Sequence, residues 1–488
     1  MKKSLSVLCS LILIATACGH QKNEIQIADG NFPAEINKIL LGKCATSGCH
    51  DHSGFKRSGG LLLDSWDHLL DGGNNGAAII AYQPEYSSLL YHTNSGHSSD
   101  RSRLPAMPSG DPLSHEEYLA IKGWIQNGAP DKNGTIPFAS KPESRQKIYL
   151  AHGGNGKCKL IAIIDGERNV VMKYIPFGTN NIESAHNIRV SPDGRYAYAC
   201  FISGRYIQKI DTRTDEIVDS IDVGIKQWGV INMSNDGKRL MVNAWEGSGG
   251  VYIINTETMN FEHKIEGSGL FIYPHGIISN ATFDTFYVSS LWCNTLYKFS
   301  TDLTYYEKIS LDGKPNTHTT QEGTTPDPHD LAYSPDYSKY LVTCQNTNEV
   351  RIFNAYTDSL IAILPVGIMP QHIAVSRTTN YAVIACMHDH NMNAKFMGSV
   401  YVINYKTMQV VKKIEGKFYE PHCVLIDDKT GVFYVLSKNF TSGYTDAYTS
   451  ICGAKNGWYS VYDMNTLNVI KEKVETEENP YFADTRFK

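Results

Sequence analysis

The stretch that decides the fold is "SPDGRYAYACFISGRYIQKIDTRT", Ser191 to Thr214. Short runs alternate apolar with polar residues, as half-buried strands do, and turn residues separate them. Similar text recurs downstream. "SNDGKRLMVNAWEGSGGVYIINTET" starts at Ser234, "SPDYSKYLVTCQNTNEVRIFNAYT" at Ser334, and "DDKTGVFYVLSKNF" at Asp427. A period of roughly 40–50 residues with four strands per unit is the signature of a β-propeller.

Six full units follow one another. A seventh is split: Lys147 to Pro176 supplies three strands, and the C-terminal "NPYFADTRF" supplies the missing innermost one. Pro480-Tyr481 stands there where other units have Pro-His. The expectation is a seven-bladed propeller over 147–488, closed by its C-terminal strand so that no edge is left exposed. The repeat text resembles the YVTN family of propellers, found in surface-layer proteins and several periplasmic oxidoreductases. That resemblance implies the fold and says little about function, because propellers host many activities.

The 488 residues carry 42% hydrophobic and 19% charged residues, a balance suited to a large folded protein. The net charge of −5 gives no electrostatic case for nucleic acid. "MKKSLSVLCSLILIATACGH" at the N-terminus reads as an export signal, residues 1–17, with an apolar core too short to span a bilayer. Its "ATAC" end resembles a bacterial lipoprotein signal. That implies lipidation of Cys18, a tether over 18–30, and a membrane-anchored location in the cell envelope, periplasmic or outer-membrane. Ordinary secretion is the alternative.

Residues 31–134 read differently, as helix and loop. In "LSHEEYLAIKGWIQNGA" Ser114 and Glu117 form a capping box, and Tyr118, Ile121, Trp124 and Ile125 recur at helical spacing. Residues 135–146 form the linker to the propeller. Earlier lies "KCATSGCHDH", Lys43 to His52. Four residues separate Cys44 from Cys49, and His50 follows directly. The usual haem-attachment motif has two intervening residues. Spacing alone therefore leaves a haem, a disulfide or a chance match open. Zinc would need further ligands, and no second Cys or His pair is close in sequence.

The wider text, "ILLGKC…GCH", "GGLLLDSWDHLLDGG" and "LPAMPSGDPLSHEEYLAIKGWIQNGA", resembles the planctomycete-type cytochrome c domain. The resemblance implies a small all-α domain and one covalent haem c. Cys44 and Cys49 would attach it, with His50 and Met107 as axial ligands. His52, His92 and His97 are alternative axial ligands.

The residues that open the innermost strands are His186, Gly229, His275, His329, His372, His422 and Tyr481. In a propeller these would ring one mouth of the channel. The loop after Cys386 adds His388, His390, Met392 and Met397, a copper-type set of imidazole and soft sulfur. Two readings stand together. The ring holds a metal, copper being the candidate, or a substrate; or the histidines only fix turns. Cys200, Cys344 and Cys386 recur at strand ends, where buried cysteine behaves as a small apolar residue. Cys423 and Cys452 are candidates for a disulfide.

The resulting expectation is an exported, lipid-anchored c-type cytochrome that transfers electrons, resembling periplasmic oxidoreductases that join cytochrome c to a propeller, among them nitrite and nitrous oxide reductases. Its partner would be a redox protein or a small-molecule substrate. The alternative is a propeller that serves only as a docking scaffold.

Overall fold

The computed structural model describes residues 29–94, 107–153, 159–178, 184–245, 249–266, 271–317, 323–389, 396–439 and 456–488. Cys18, His97, His390, Met392 and Cys452 lie outside the described residues.

The chain from 147 onward is a β-propeller. The strands form six hydrogen-bonded sheets, five of four strands and one of six, in place of the seven separate blades expected. The difference arises at Tyr196–Asp211 and Glu216–Met233, strands of 16 and 18 residues. Tyr196–Asp211 pairs with Ser184–Val190 through its first half and with the start of Glu216–Met233 through its second. Glu216–Met233 then runs on to pair with Arg239–Ala244. Between these ladders the bridges Ile202↔Gln227 and Gly204↔Lys226 continue the pairing, so two repeat units are welded into one sheet.

Each sheet packs because its middle strands are apolar on both faces. Leu160–Asp165 and Val432–Ser437 are buried at every position, as a strand between two sheets requires. Outer strands such as Asn260–Glu266 are largely exposed. The C-terminal strand Pro480–Thr485 pairs with Lys147–His152, giving a sheet whose innermost strand comes from the far end of the chain. Gln146 reinforces this join, donating to Thr485 Oγ1 at 2.6 Å and to the Phe487 carbonyl at 3.1 Å.

The expected all-α N-terminal domain is sparser in helix than the resemblance implied. Its helices are Ala34–Ile39, Trp66–Leu69, Ser88–Thr93 and His115–Gln126, with a π-turn at Leu40–Cys44. Only the last exceeds two turns, because Gly, Ser and Pro interrupt the rest. His115–Gln126 carries the full capping box between Ser114 and Glu117. Its Ile121, Trp124 and Ile125 join Phe32, Ile36, Leu40 and Leu63 in a small separate core. The segment docks on the split sheet. Gln83 and Tyr174 exchange two hydrogen bonds of 2.8 Å, and Arg168 bonds Asp67 and Asp71. No described helix is long and apolar enough to cross a membrane.

Candidate functional site

The first candidate site is the loop after the π-turn. Cys44 is buried and Cys49 exposed, and neither is in a disulfide, so both sulfurs are free as thioether attachment requires. Burial, with Glu117 nearby, pushes the Cys44 thiol up to about 12. His50 is fixed at both ends. Its backbone N–H donates to the Cys44 carbonyl at 3.2 Å, and its Nδ1 donates to the Leu61 carbonyl at 3.0 Å. An imidazole protonated on Nδ1 keeps its lone pair on Nε2, the orientation that a metal-ligating histidine needs. Lys43 ties the loop to the long helix through Glu117 at 2.9 Å.

Met107 is positioned by its backbone N–H, which donates to the His92 carbonyl at 3.0 Å. His92 itself is near enough to His50 for that charge, after burial, to lower its pKa. Its Nε2 already accepts from the Asn75 amide at 3.1 Å, which makes His92 a weaker axial candidate than Met107. His52 is drawn away, to Asp64 at 2.9 Å.

The second candidate site is the head of the propeller channel, where the innermost strands begin. His186, His275, His329, His372 and His422 come together there. Ring centroids are 4.1 Å apart for His275 and His329, 5.1 Å for His329 and His372, 4.9 Å for His372 and His422, and 6.2 Å for His186 and His275. Tyr481 closes the ring at 4.0 Å from His422 and 4.9 Å from His186.

The hydrogen bonds are circumferential. His186 Nδ1 donates to the Gly229 carbonyl at 3.0 Å, His275 to His329 at 3.0 Å, and His422 to Tyr481 at 3.1 Å. Each bond crosses to the next innermost strand. Burial, reinforced by neighbouring charged groups, holds these rings neutral: His275 is lowered to about 4, His186 to about 3, and His329 and His422 well below the usual value.

Two members depart from the pattern. His372 sits one residue further along its strand than the others. Pro370 pairs with Cys386 as Pro328 pairs with Cys344, so Gln371 is the counterpart of His329 and His372 the counterpart of Asp330. His372 Nδ1 accordingly bonds the buried Asp330 carboxylate at 2.8 Å. The second departure is His329, whose buried Nδ1 has no partner. The equivalent carbonyl, that of Gln371, accepts instead from Thr343 Oγ1 at 2.7 Å.

Other buried polar atoms at this head are also without partners: Asp327 Oδ2, Ser184 Oγ, Ser399 Oγ, Ser437 Oγ and the Asn456 side chain. Burial raises the Asp327 carboxyl to about 7 and lowers Lys438, whose ammonium lies 4.6 Å from the Tyr481 ring, to about 7. Orphaned buried polar groups are uncommon in native folds, and a bound polar group is one way to satisfy them. A head so lined fits a polar cofactor or substrate.

His388 Nδ1 lies 3.1 Å from Met397 Sδ. The cysteines of the strands next to the ring are of another kind: Cys200, Cys344 and Cys386 are fully buried with thiols raised by burial, Cys200 to about 12. They act as packing groups. Among the described residues the cysteines, Cys423 included, form no disulfide.

Asp330, Asp327 and Lys438 escaped the sequence reading. Counting back from the Ser334 and Ser376 turns would have placed Asp330 beside His372. At the far end of the channel a cavity of about 590 Å³ reaches up to Asp330 and His372, past Arg189, Asn232, Phe482 and Asp484. Its polar walls are mutually bonded, Arg189 to the Ile231 carbonyl and Asp484 to the Val190 N–H and Lys488.

No curated protein matches the chain. Among solved structures the chain is similar to Kuenenia stuttgartiensis hydrazine synthase, at 16% identity and a TM-score of 0.44, over 58% of this chain and 77% of that one. Residues 154–382, most of the propeller, match the family described as the cytochrome D1 heme domain.

Proposed function

We propose that this is an exported, lipid-anchored haem protein that transfers electrons. Its N-terminal segment holds one c-type haem on Cys44 and Cys49, with His50 and Met107 on the iron. The propeller head carries a second site, for a haem or for the small molecule that exchanges electrons with the first. The observation that carries the reading is the His50 arrangement: Nδ1 pinned to the Leu61 carbonyl and Nε2 left as the lone-pair nitrogen, beside two unpaired cysteines. A His/Met-ligated haem, when bound, supplies one-electron chemistry at a raised potential. The chain's own residues orient the histidine, bury one attachment sulfur and place the methionine backbone.

For the propeller, support comes from the orphaned polar groups at the head and from the similarity of residues 154–382 to the cytochrome D1 heme domain. His329, with neither a carbonyl partner nor a charge, is the residue best suited to hold a group there. The docking-scaffold reading is favoured by one observation, the Nδ1 bonds by which His186, His275 and His422 stitch one strand to the next.

Protein made in a host that matures c-type cytochromes tests the first site. Haem staining on a denaturing gel is expected for the parent and lost in Cys44→Ala/Cys49→Ala. An unstained parent would refute the attachment. Pyridine haemochrome and metal content of parent and His329→Ala separate a loaded propeller head from a scaffold.

A further inference from the structure

We propose that His52, Asp64 and His68 form a binding site for a zinc-class divalent cation beside the haem-attachment loop. The cysteine pair at Cys44 and Cys49 offers zinc no second pair in sequence, but folding supplies a different set. His52 lies on the turn after His50. Asp64 ends the same loop, and His68 lies in the helix Trp66–Leu69. His52 Nε2 is 2.9 Å from Asp64 Oδ2, and His68 Nδ1 is 2.6 Å from Asp64 Oδ1. The two rings stand edge to face at 5.6 Å. All three ligand atoms fall within 4.8 Å of one another, and among the described residues no other group of three His, Cys, Asp or Glu side chains meets so closely.

The chemistry follows from the protons. A neutral imidazole has a single N–H, and here both rings aim a nitrogen at the same carboxylate. A cation entering between them needs each ring to shift its proton to the other nitrogen, with no net proton released. The same three atoms then become two imidazole nitrogens and one carboxylate oxygen. That set suits zinc and the late first-row divalent ions; magnesium and calcium prefer oxygen alone. Three protein ligands leave a fourth position for water. Access is open, since the His52 side chain is 74% exposed and His68 40%.

The placement gives the site a consequence. The three ligands clamp the two ends of the loop 51–64 to the following helix. Within that loop lies Leu61, whose carbonyl orients His50, and Leu63, whose N–H donates to the His50 carbonyl at 2.9 Å. A bound cation braces that frame from outside. The assignment needs no haem.

The test is calorimetric titration of chelator-stripped full-length protein with zinc chloride, with cobalt(II) absorption alongside. One equivalent is expected to bind the parent and to raise its melting temperature. His52→Ala, an exposed position that leaves the fold intact in chelator, should abolish the rise, and Asp64→Asn should weaken binding by about tenfold or more. The cobalt form should show weak d–d bands without the intense thiolate band that Cys44 and Cys49 would produce. No binding by the parent, a thiolate spectrum, or unchanged titration of His52→Ala would each overturn the proposal. Should Asp64→Asn fail to fold, His52→Ala decides alone.

Discussion

The Nδ1 of His275 donates to the carbonyl of His329, 54 residues away, at 3.0 Å, while the Nδ1 of His329 has no partner at all. Two residues with the same sequence context, Pro-His at the start of an innermost strand, therefore do different physical work. The first ties one sheet to the next. The second stands in the head of the channel with an unsatisfied nitrogen.

This asymmetry predicts unequal costs. His275→Ala removes one of the two hydrogen bonds to the buried His329 carbonyl, the other being from Ser289 Oγ at 3.2 Å, and should destabilise by about 0.5–1.5 kcal/mol. His329→Ala removes no hydrogen bond and should cost less in ligand-free protein, while lowering the haem or metal content of loaded protein. Urea melts of both variants, with cofactor content measured on each, check the contrast. Equal losses of stability with unchanged content would assign His329 to structure.

The buried histidines predict acid sensitivity. His152 and His275 are lowered to about 4 and His186 to about 3, all chiefly by burial. In the unfolded chain each titrates near its ordinary value of about 6.5. Between that pH and about 4 the unfolded state binds protons that the folded state refuses. Stability should therefore fall as pH falls through this window, by up to about 1.4 kcal/mol per pH unit for each such histidine. Denaturant melts at pH 7, 6 and 5 give the slope, and a flat profile would show the rings to be solvated.

Lys147 and Asp215 form an ion pair of 2.7 Å with side chains 3% and 5% exposed, and Tyr149 donates to the same carboxylate at 2.6 Å. Lys147→Met leaves Asp215 charged and buried with the tyrosine alone. The expected loss is about 3–5 kcal/mol. Lys147→Met/Asp215→Asn should recover part of it, as equilibrium unfolding of the two variants would show.

Removing residues 480–488 takes away the innermost strand of the split sheet and two of the partners of Gln146, leaving Asp427. The truncated chain should expose the Lys147–His152 edge and associate, seen as loss of the monomer peak in gel filtration. Pro480→Gly, which keeps the strand, should not.

For the haem site, Met107→Ala should remove the weak sulfur-to-iron band at the red end of the spectrum and lower the potential. A persistent band would pass the ligand role from Met107 to another group.

Strand periodicity was open in the sequence because it is local. Alternation, turn residues and the Pro-His starts are each encoded within a few residues, so a β-propeller could be read from text such as Ser191–Thr214. The His115–Gln126 helix was legible for the same reason, its cap lying three residues from its partner. What the text could not show was that the pairing of Tyr196–Asp211 with Glu216–Met233 resumes beyond its register shifts and so joins two units. Continuity there depends on the bridge of Ile202 to Gln227, a contact between separate units, and it makes six sheets where the repeats suggested seven.

The sites divide in the same way. Composition and motif placed Cys44, Cys49 and His50 together because they are neighbours in the chain, and the repeat placed five histidines at the strand starts. Which of those histidines are braces was decided by tertiary structure alone. One residue of register puts His372 opposite Asp330, and one hydroxyl, Thr343, takes the carbonyl that His329 would have used. The meeting of His52 with His68 across Asp64 is likewise a product of loop folding. Hydrogen bonds have a reach of about 3 Å, and the partner is chosen by packing between distant segments. The sequence specifies which groups exist; only the closed propeller and its docked segment fix which of them have been left unsatisfied.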